Sequence, residues 1–431
     1  MSRRLIVQKY GGTSVGTIER IRKVAERIAR TKREGVDVMV VVSAMAGETD
    51  KLLNMARQIS ESPNRREIDL LLSSGERISS ALVTIALNAI GCPAVSLTGR
   101  QMGLLTDNTH TRARIKQIDG ARARKFLQEN HVVVVAGFQG INERGDVTTL
   151  GRGGSDTSAV ALAVALNADS CEIYTDVDGV YTSDPNVVPD ARKLDVVSYE
   201  EMMEMASLGA KVLQIRSVEF AKNFNMPLVV RSSYNDEPGT LICKEDSKME
   251  QPVVSGVMYD KKQTKITVSG VPDQPGVAAR IFGALAAAEL SVDMIIQNVS
   301  AENHTDISFT LAAADAGEAA EIMRKVAPDL RATGVSCNSE IAKISIVGAG
   351  MRSHSGVAAR MFNGLSRENI NIMMISTSEI RISCVIEKKY AELATRVLHE
   401  EFGLSREAVR SDAKSRPVKS KPQPRRKAAG S

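Results

Sequence analysis

Residues 270–298 and 350–378 align without a gap at an offset of 80, with ten of 29 positions identical and the pentapeptide GVAAR shared at 276–280 and 356–360. This duplication constrains the fold more than any single motif, because both copies must satisfy one pattern of buried and exposed positions. Each copy follows a strand-like run (KITVSG, KISIVG), then passes through a turn into an amphipathic helix and a second apolar strand. Another strand follows (TDISFTLAA, EIRISCVIE), and a helical segment at 315–327 or 390–402 closes each unit. With one more strand the order is β-α-β-β-α-β, a small split βαβ domain. Two such modules at the end of a longer chain serve regulation or assembly, or they pack for structure alone.

The 240 residues before them have a different texture. LIVQKY reads as a strand and is followed by a helix with Ile18, Ile21, Val24, Ala25, Ile28 and Ala29 on one face. VDVMVVVSA (36–44) is a β-branched run of the kind a strand buried on both faces requires. Helical character extends from about Glu67 to Ile90, with an interruption expected near Gly75. Strand-like runs recur at AVSL (94–97), HVVVVAGF (131–138), CEIYT (171–175) and PLVVR (227–231). The alternation predicts an α/β domain with a mainly parallel, doubly wound sheet. At 431 residues the chain is too long for one ordinary core, and two or three domains are expected.

The net charge of +5 belongs to the tail, where residues 413–431 carry seven Lys and Arg and no acid. The rest carries −2, so nucleic-acid binding through the body is not expected. Pro417, Pro422 and Pro424 among polar residues predict a disordered tail, 412–431. No uninterrupted apolar run approaches the roughly 20 residues of a membrane span, and a cytoplasmic location is expected. Five dispersed cysteines and five histidines show no metal-ligand spacing, so no dedicated metal site is expected.

Four stretches carry chemistry. VQKYGGTSVG (7–16) has Gly11 and Gly16 in the first spacing of a Walker A loop, but Thr17 stands where that motif needs lysine. The lysine, Lys9, precedes the glycines. Glycines let N–H groups approach phosphate oxygens, and an ammonium can reach them from either side. A plain strand-to-helix turn fits this stretch equally well. TTLGRGGSDTSAVALAVAL (148–166) sets Gly151, Gly153 and Gly154 around Arg152, ahead of a helix that Ser155 or Asp156 would cap. A helix N-terminus beside a guanidinium suits a carboxylate or a phosphate. YTDVDGVYTSDP (174–185) fails the calcium-loop pattern and suits ribose hydroxyls or an adenine edge. In LSSGERIS (72–79), Glu76 sits within an apolar helical run, where it either pairs with a ligand's amino group or lies on a surface face.

Together, KYGGTSVG, SAMAGET, SSGERIS, GFQGINERGDVTTLGRGGSDTSAVALA, YTDVDGVYTSDP and MASLGAKVLQIRSVEFA resemble the aspartate kinase (aspartokinase) family. The duplicated units resemble its paired ACT domains, and the resemblance covers roughly 4–405. It implies an amino-acid-kinase catalytic domain at 1–245, ferredoxin-like ACT domains at 252–337 and 338–411, and phosphorylation of the L-aspartate β-carboxylate by ATP. By the same resemblance, Lys9 bridges the phosphates, Tyr10, Gly11 and Gly12 supply the loop, and Ser43 borders the nucleotide. Arg152 holds the substrate α-carboxylate, Glu76 its ammonium and Thr49 the accepting carboxylate. Gly153, Gly154 and Ser155 complete that pocket, and Asp156 orients Lys9. Thr175, Asp176, Tyr181 and Asp184 take adenine and ribose, and Lys211 closes over the phosphates. Mg²⁺ is expected to arrive with ATP. The repeats imply feedback by lysine, threonine or both, through Asp273, Pro275, Gly276, Gln297 and Asn298, and a homodimer or higher oligomer formed through the ACT domains. Kinases acting on glutamate, N-acetylglutamate, carbamate or UMP, and a non-catalytic amino-acid sensor, are the competing readings. Whether Met249 also starts a separate regulatory chain stays open.

Overall fold

The structure is a computed structural model that describes residues 3–208, 212–245, 252–299 and 303–405. The expected disordered tail, Met249 and Lys211 lie outside the described residues. The first part of the chain runs β1 (Leu5–Tyr10), α1 (Ile18–Arg33), β2 (Asp37–Val42), α2 (Glu48–Ile59), α3 (Arg65–Ala89), β3 (Ala94–Leu97), β4 (Leu104–Thr106), β5 (Ile115–Ile118), α4 (Ala121–Gln128), β6 (Val132–Ala136), β7 (Gln139–Ile141), β8 (Val147–Thr149), α5 (Gly154–Ala165), β9 (Ser170–Thr175), β10 (Val196–Ser198), α6 (Tyr199–Ser207), α7 (Ile215–Phe224), β11 (Leu228–Ser232) and β12 (Thr240–Cys243). The second runs β13 (Gly256–Pro272), α8 (Val277–Ala287), β14 (Ile295–Val299), β15 (His304–Ala312), α9 (Ala316–Val326), β16 (Gly334–Val347), α10 (Val357–Arg367), β17 (Met374–Thr377), β18 (Arg381–Glu387) and α11 (Ala391–Glu401).

The main sheet has the order β10-β12-β11-β9-β1-β2-β6-β3, and only the β11–β12 pair is antiparallel. Its central strands are buried on both faces, as the runs in β2 and β6 require. α5 is buried along nearly its whole length and joins Val7, Met39, Val41 and Ile173 in one core. A small sheet, β5-β4-β7-β8, stands beside the main one.

α3 differs from expectation, being continuous for 25 residues through Gly75. A Cβ on Gly75 would lie 2.7 Å from the Ala44 Cβ, so the glycine serves close approach to the loop after β2 rather than a helix break. By length and composition α3 could cross a membrane, but here it packs on α1 and lies against β3, β6 and β8.

The repeats form one six-stranded sheet, β14-β15-β13-β16-β18-β17. The first has the expected β-α-β-β-α-β order (β13-α8-β14-β15-α9-β16), whereas the second runs β16-α10-β17-β18-α11 with no strand after α11 among the described residues, and the division at 337/338 falls inside β16. The 17-residue β13 is long enough to serve both units. Its residues 263–272 pair with β15, whereas Gly256–Asp260 pair with Lys343–Val347 of β16. Val254 and Val257 accordingly sit in the core of the second unit with Ile344, Ile346, Met361 and Leu398. Each unit therefore borrows part of a strand that continues into the other.

The second unit rests on the first part of the chain. The buried Glu201 carboxylate in α6 accepts from Ser255 Oγ (2.6 Å) and from the Ala349 N–H (3.0 Å). Arg381 of β18 pairs with Glu204 at 2.9 Å.

Gly75→Ala tests the close approach. Helix propensity alone would favour alanine by about 1 kcal/mol, but overpacking against Ala44 costs about 1–3 kcal/mol. The urea midpoint of the variant is expected to fall, and a rise would show that the loop after β2 yields freely.

Candidate active site

The C-terminal ends of β1, β2 and β9 and the N-terminus of α5 converge where ligands bind in open α/β sheets. Lys9, near the end of β1, is 9% exposed, and its Nζ lies 2.6 Å from Asp156 Oδ1 in the first turn of α5. Gly11 donates its N–H to the Tyr174 carbonyl (3.1 Å), so that donor is already engaged. A Cβ on Gly12 would fall 2.7 Å from the Ala44 carbonyl oxygen, and Ala46 N–H donates to the Gly12 carbonyl at 3.1 Å. The loop after β1 thus lies directly on the loop after β2. Tyr10 offers this site only its backbone. Its ring is fully buried and stacks on Tyr174 with centroids 4.8 Å apart.

Glu76 on α3 is 3% exposed, with Oε1 accepting from the Ala44 N–H at 3.0 Å. Its Oε2 is buried and has no partner among the described residues. Burial pushes this carboxyl up to about 7. Such a group is poised to receive a cationic hydrogen-bond donor. Ser43, which donates its N–H to the Tyr10 carbonyl (3.1 Å), and Thr49, in the first turn of α2, are both half-buried near this loop in sequence.

The second glycine loop departs from expectation at its cap. Gly153, not Ser155 or Asp156, is the N-cap of α5, with φ +65° and no side-chain capping bond. A Cβ there would meet the Gln214 side chain at 2.5 Å, and the left-handed backbone favours glycine further. Ser155 and Asp156 instead lie buried inside the first turn, whose N-terminus has no capping side chain and is suited to an anion. Arg216 fixes the approach to this loop through the Leu150 carbonyl (2.8 Å) and the Ala113 carbonyl (3.1 Å). Gln214 Nε2 donates to the Arg152 carbonyl at 3.0 Å, and the Arg152 side chain is exposed.

Thr175, Asp176, Tyr181 and Asp184 line a single cleft of about 820 Å³. Asp184 is also occupied locally, its Oδ1 accepting from the Asn186 N–H (2.9 Å) and side-chain amide (3.0 Å). Two features of the cleft carry no sequence signal. Ser183 is buried, and its Oγ has no partner among the described residues. Residues Val257–Lys262 of β13 form part of the wall, so the repeat region reaches this cleft.

The proposed effector residues belong to the repeat sheet and the turn ahead of its first helix, not to the main sheet that carries Lys9. Asp273, Pro275 and Gly276 form an exposed turn ahead of α8, with Gly276 at φ +96° and the Asp273 N–H on the Asn303 carbonyl (2.9 Å). Gln297 and Asn298 are exposed on β14, an edge strand. An acid absent from the sequence-based set, Asp293, pairs with Lys343, a lysine buried in β16.

The model of the amino acid kinase family matches residues 4–232, and that of the ACT domain matches 266–326 and 344–402. An aspartate kinase of Stutzerimonas stutzeri is 56% identical over 401 residues, covering 93% of this chain and 97% of the relative. An aspartokinase of Pseudomonas aeruginosa is 56% identical over 402 residues, covering 93% and 98%. Among solved structures, E. coli aspartokinase III in complex with aspartate and ADP (R-state) is similar at TM-score 0.78 and 26% identity, over 92% of this chain and 99% of that one. The same enzyme with lysine and aspartate (T-state) gives TM-score 0.74 at 26% identity, again over 92% and 99%.

Glu76 makes stability depend on pH. Its folded value near 7 lies above the ordinary 4.5, so its stabilising contribution is full below the unfolded value and is lost as pH rises through 7. Glu76→Gln keeps an acceptor for Ala44 and removes the buried charge. The variant should be more stable than the parent at pH 8 by about 3 kcal/mol, with the gap closing toward pH 4. Parallel melting curves at the two pH values check this, and a constant offset would refute it.

Proposed function

We infer the reaction from family membership: this chain belongs to the amino acid kinase family and, within it, to the aspartate kinases. The chain phosphorylates the β-carboxylate of L-aspartate with ATP, giving 4-phospho-L-aspartate as the first step toward lysine, threonine and methionine. The observation that carries the site assignment is the buried 2.6 Å contact between Lys9 and Asp156 where the two glycine loops meet. Glu76, with one open oxygen, favours an acceptor bearing a free ammonium over N-acetylglutamate, carbamate or UMP.

A carboxylate is already nucleophilic, so positioning and charge neutralisation are the protein's tasks. Lys9, oriented by Asp156, neutralises the transferring phosphoryl group. Gly11, Gly12 and the open N-terminus of α5, with Gly153, Gly154 and Ser155, form the cradle around it. Arg152 holds the α-carboxylate, Glu76 the ammonium and Thr49 the accepting carboxylate, and Ser43 borders the nucleotide. Thr175, Asp176, Tyr181 and Asp184 take ribose and adenine, and Lys211 closes over the phosphates. No group of three or more His, Cys, Asp or Glu side chains gathers into a metal site among the described residues. Mg²⁺ would arrive with the nucleotide, held by its phosphates and water, and would supply further charge neutralisation there.

Lysine, threonine or both act as feedback effectors at the first repeat. The complex of E. coli aspartokinase III with lysine supports an effector role for that amino acid. Edge strand β14 bears an exposed Ile295, which supports assembly through the repeat sheet. The cytoplasm suits the buried thiols of Cys92, Cys171 and Cys384.

Hydroxylamine trapping of the acyl phosphate, run over aspartate, glutamate, N-acetylglutamate, carbamate and UMP, tests the reaction. Product with aspartate alone is expected, and none with any substrate would leave only an amino-acid sensor. Lys9→Ala should lower kcat by about 10²-fold or more while the protein stays folded. Arg152→Ala should raise the aspartate KM roughly 10–100-fold and leave that of ATP unchanged. The reverse pattern for Arg152 would mean that the two glycine loops have been exchanged. Asp273→Ala should turn over aspartate while its inhibition curve for lysine or threonine moves to higher concentration, by a coupling of about 1–3 kcal/mol. Unmoved curves for both amino acids would place the effector site elsewhere.

A further inference from the structure

α11, the last helix of the second repeat, buries His399 (2% exposed) with Nε2 2.9 Å from Thr182 Oγ1. Thr182 is fully buried, and its chain neighbours Tyr181 and Ser183 both line the 820 Å³ cleft. Four strong contacts hold this threonine. Two come from Arg192, whose carbonyl accepts the Thr182 N–H (2.9 Å) and whose N–H donates to Oγ1 (3.0 Å). The other two come from the repeat region: the His399 ring, and the Val257 N–H on the Thr182 carbonyl (2.8 Å). Val257 and His399 belong to the same unit, since Val257 shares a core with Leu398.

Thr182 Oγ1 already accepts from Arg192, leaving its own hydrogen to donate. With one hydrogen and a second lone pair still open, Oγ1 either donates to His399 Nε2 at 2.9 Å, or accepts from it while donating to the Leu404 carbonyl at 3.5 Å, and the contact stands with either ring tautomer. Burial pushes the imidazole below its ordinary value, against Asp190 and with Arg192, which keeps the ring uncharged at neutral pH.

Tyr181 and Ser183 therefore flank a residue that the regulatory unit grips by side chain and by backbone. The unpartnered Ser183 Oγ gives that grip a consequence, because a shift of Thr182 moves a buried hydroxyl at the cleft wall. We propose that His399 is a positioning residue for the nucleotide: through Thr182 it fixes Tyr181 and Ser183, so the second repeat sets affinity for ATP and not for aspartate. This rests on the reading of 174–184 as the nucleotide segment. No bond changes in the step, which is pre-organisation of a binding wall by a residue that does not touch the nucleotide.

The test uses the full-length enzyme with AMP-PNP as the binding probe, alongside steady-state kinetics in both substrates. His399→Ala should raise the AMP-PNP Kd and the ATP KM roughly tenfold, a change expected for one lost buried hydrogen bond. The aspartate KM should move by less than about twofold on the same grounds. His399→Gln, which returns a hydrogen-bonding amide near the Nε2 position, should recover most of the loss. Thr182→Val, which also strips the Arg192 N–H of its acceptor, should lose at least as much as His399→Ala, and adding His399→Ala to it should cost nothing further. Equal rises in both KM values, no rescue by glutamine, or additive losses in the double variant would each overturn the proposal, leaving His399 a packing residue. If a variant fails to fold, the milder pair Thr182→Ser and Thr182→Val carries the same comparison, with serine retaining affinity and valine losing it. Asp176→Ala separates the premise from the inference. Unchanged AMP-PNP binding in that variant refutes the nucleotide reading, whereas lost binding with a flat His399 series refutes this proposal alone.

Discussion

The Lys9–Asp156 contact is the constraint around which the catalytic half is arranged. Each side chain is only 11% exposed, and taking either charge out of water alone would cost several kcal/mol. Each is tolerable because the other is present, so the end of β1 and the first turn of α5 have to meet. That meeting requires β1 in the middle of the sheet, between β2 and β9, with α5 lying across all three. It also requires backbone to pass close to backbone. Gly12 sits where a Cβ would strike the Ala44 carbonyl oxygen, and Gly137 where one would lie 3.1 Å from Ser155 Cβ. The glycines around the site are thus largely a consequence of bringing two charges together in a confined space.

Glu76 obeys the opposite logic. Its charge has no cation beside it, only the Ala44 N–H on one oxygen, and burial keeps its proton affinity high. The fold carries this cost at a position that Gly75 brings against the same alanine. A residue that weakens the protein near pH 8 while keeping a buried oxygen open among the described residues is a local cost in stability. Lys9 and Glu76 are therefore both buried and ionisable, but only Lys9 is satisfied within the chain.

The parts legible in the sequence were those governed by local pattern. Continuous β-branched runs mark β2 and β6, whose burial on both faces leaves no other reading, and the offset of 80 marks both repeats. The glycine loops stand out because they break those patterns. What was not legible depends on pairing at a distance. β4, β5, β7 and β8 have three or four residues each, too few for a period to show. Nothing within Gly256–Asp260 says that it pairs with the second repeat, and the division at 337/338 misses this for that reason. Ser155 and Asp156 look like caps by residue type, but the space beside Gln214 decides for Gly153. Lys343 and His399 carry side chains that read as exposed, and only the tertiary partners Asp293 and Thr182 account for their burial.

The long strand β13 gives the regulatory half its mechanical character. One end, Val257–Lys262, lines the cleft beside Tyr181 and Asp184, and the other end runs through Pro272 directly into the turn that contains Asp273. Between them the strand is held on both sides, by β15 and by β16, so it is embedded in the sheet rather than tethered to it. The pairing shifts register near Asp260–Lys265, just where the strand passes from one unit to the other. A β-bulge or irregularity there bends a strand and increases its twist without severing it. The strand thus joins the Asp273 turn to the wall of the cleft as one hydrogen-bonded element, with irregular pairing at the crossing and again at Val268–Val271. The second unit, to which the Val257 end of the strand belongs, grips Thr182 through both the Val257 N–H and His399. No path of side chains is needed to connect the Asp273 turn with the cleft wall, because the strand shared by the two repeats already spans the distance.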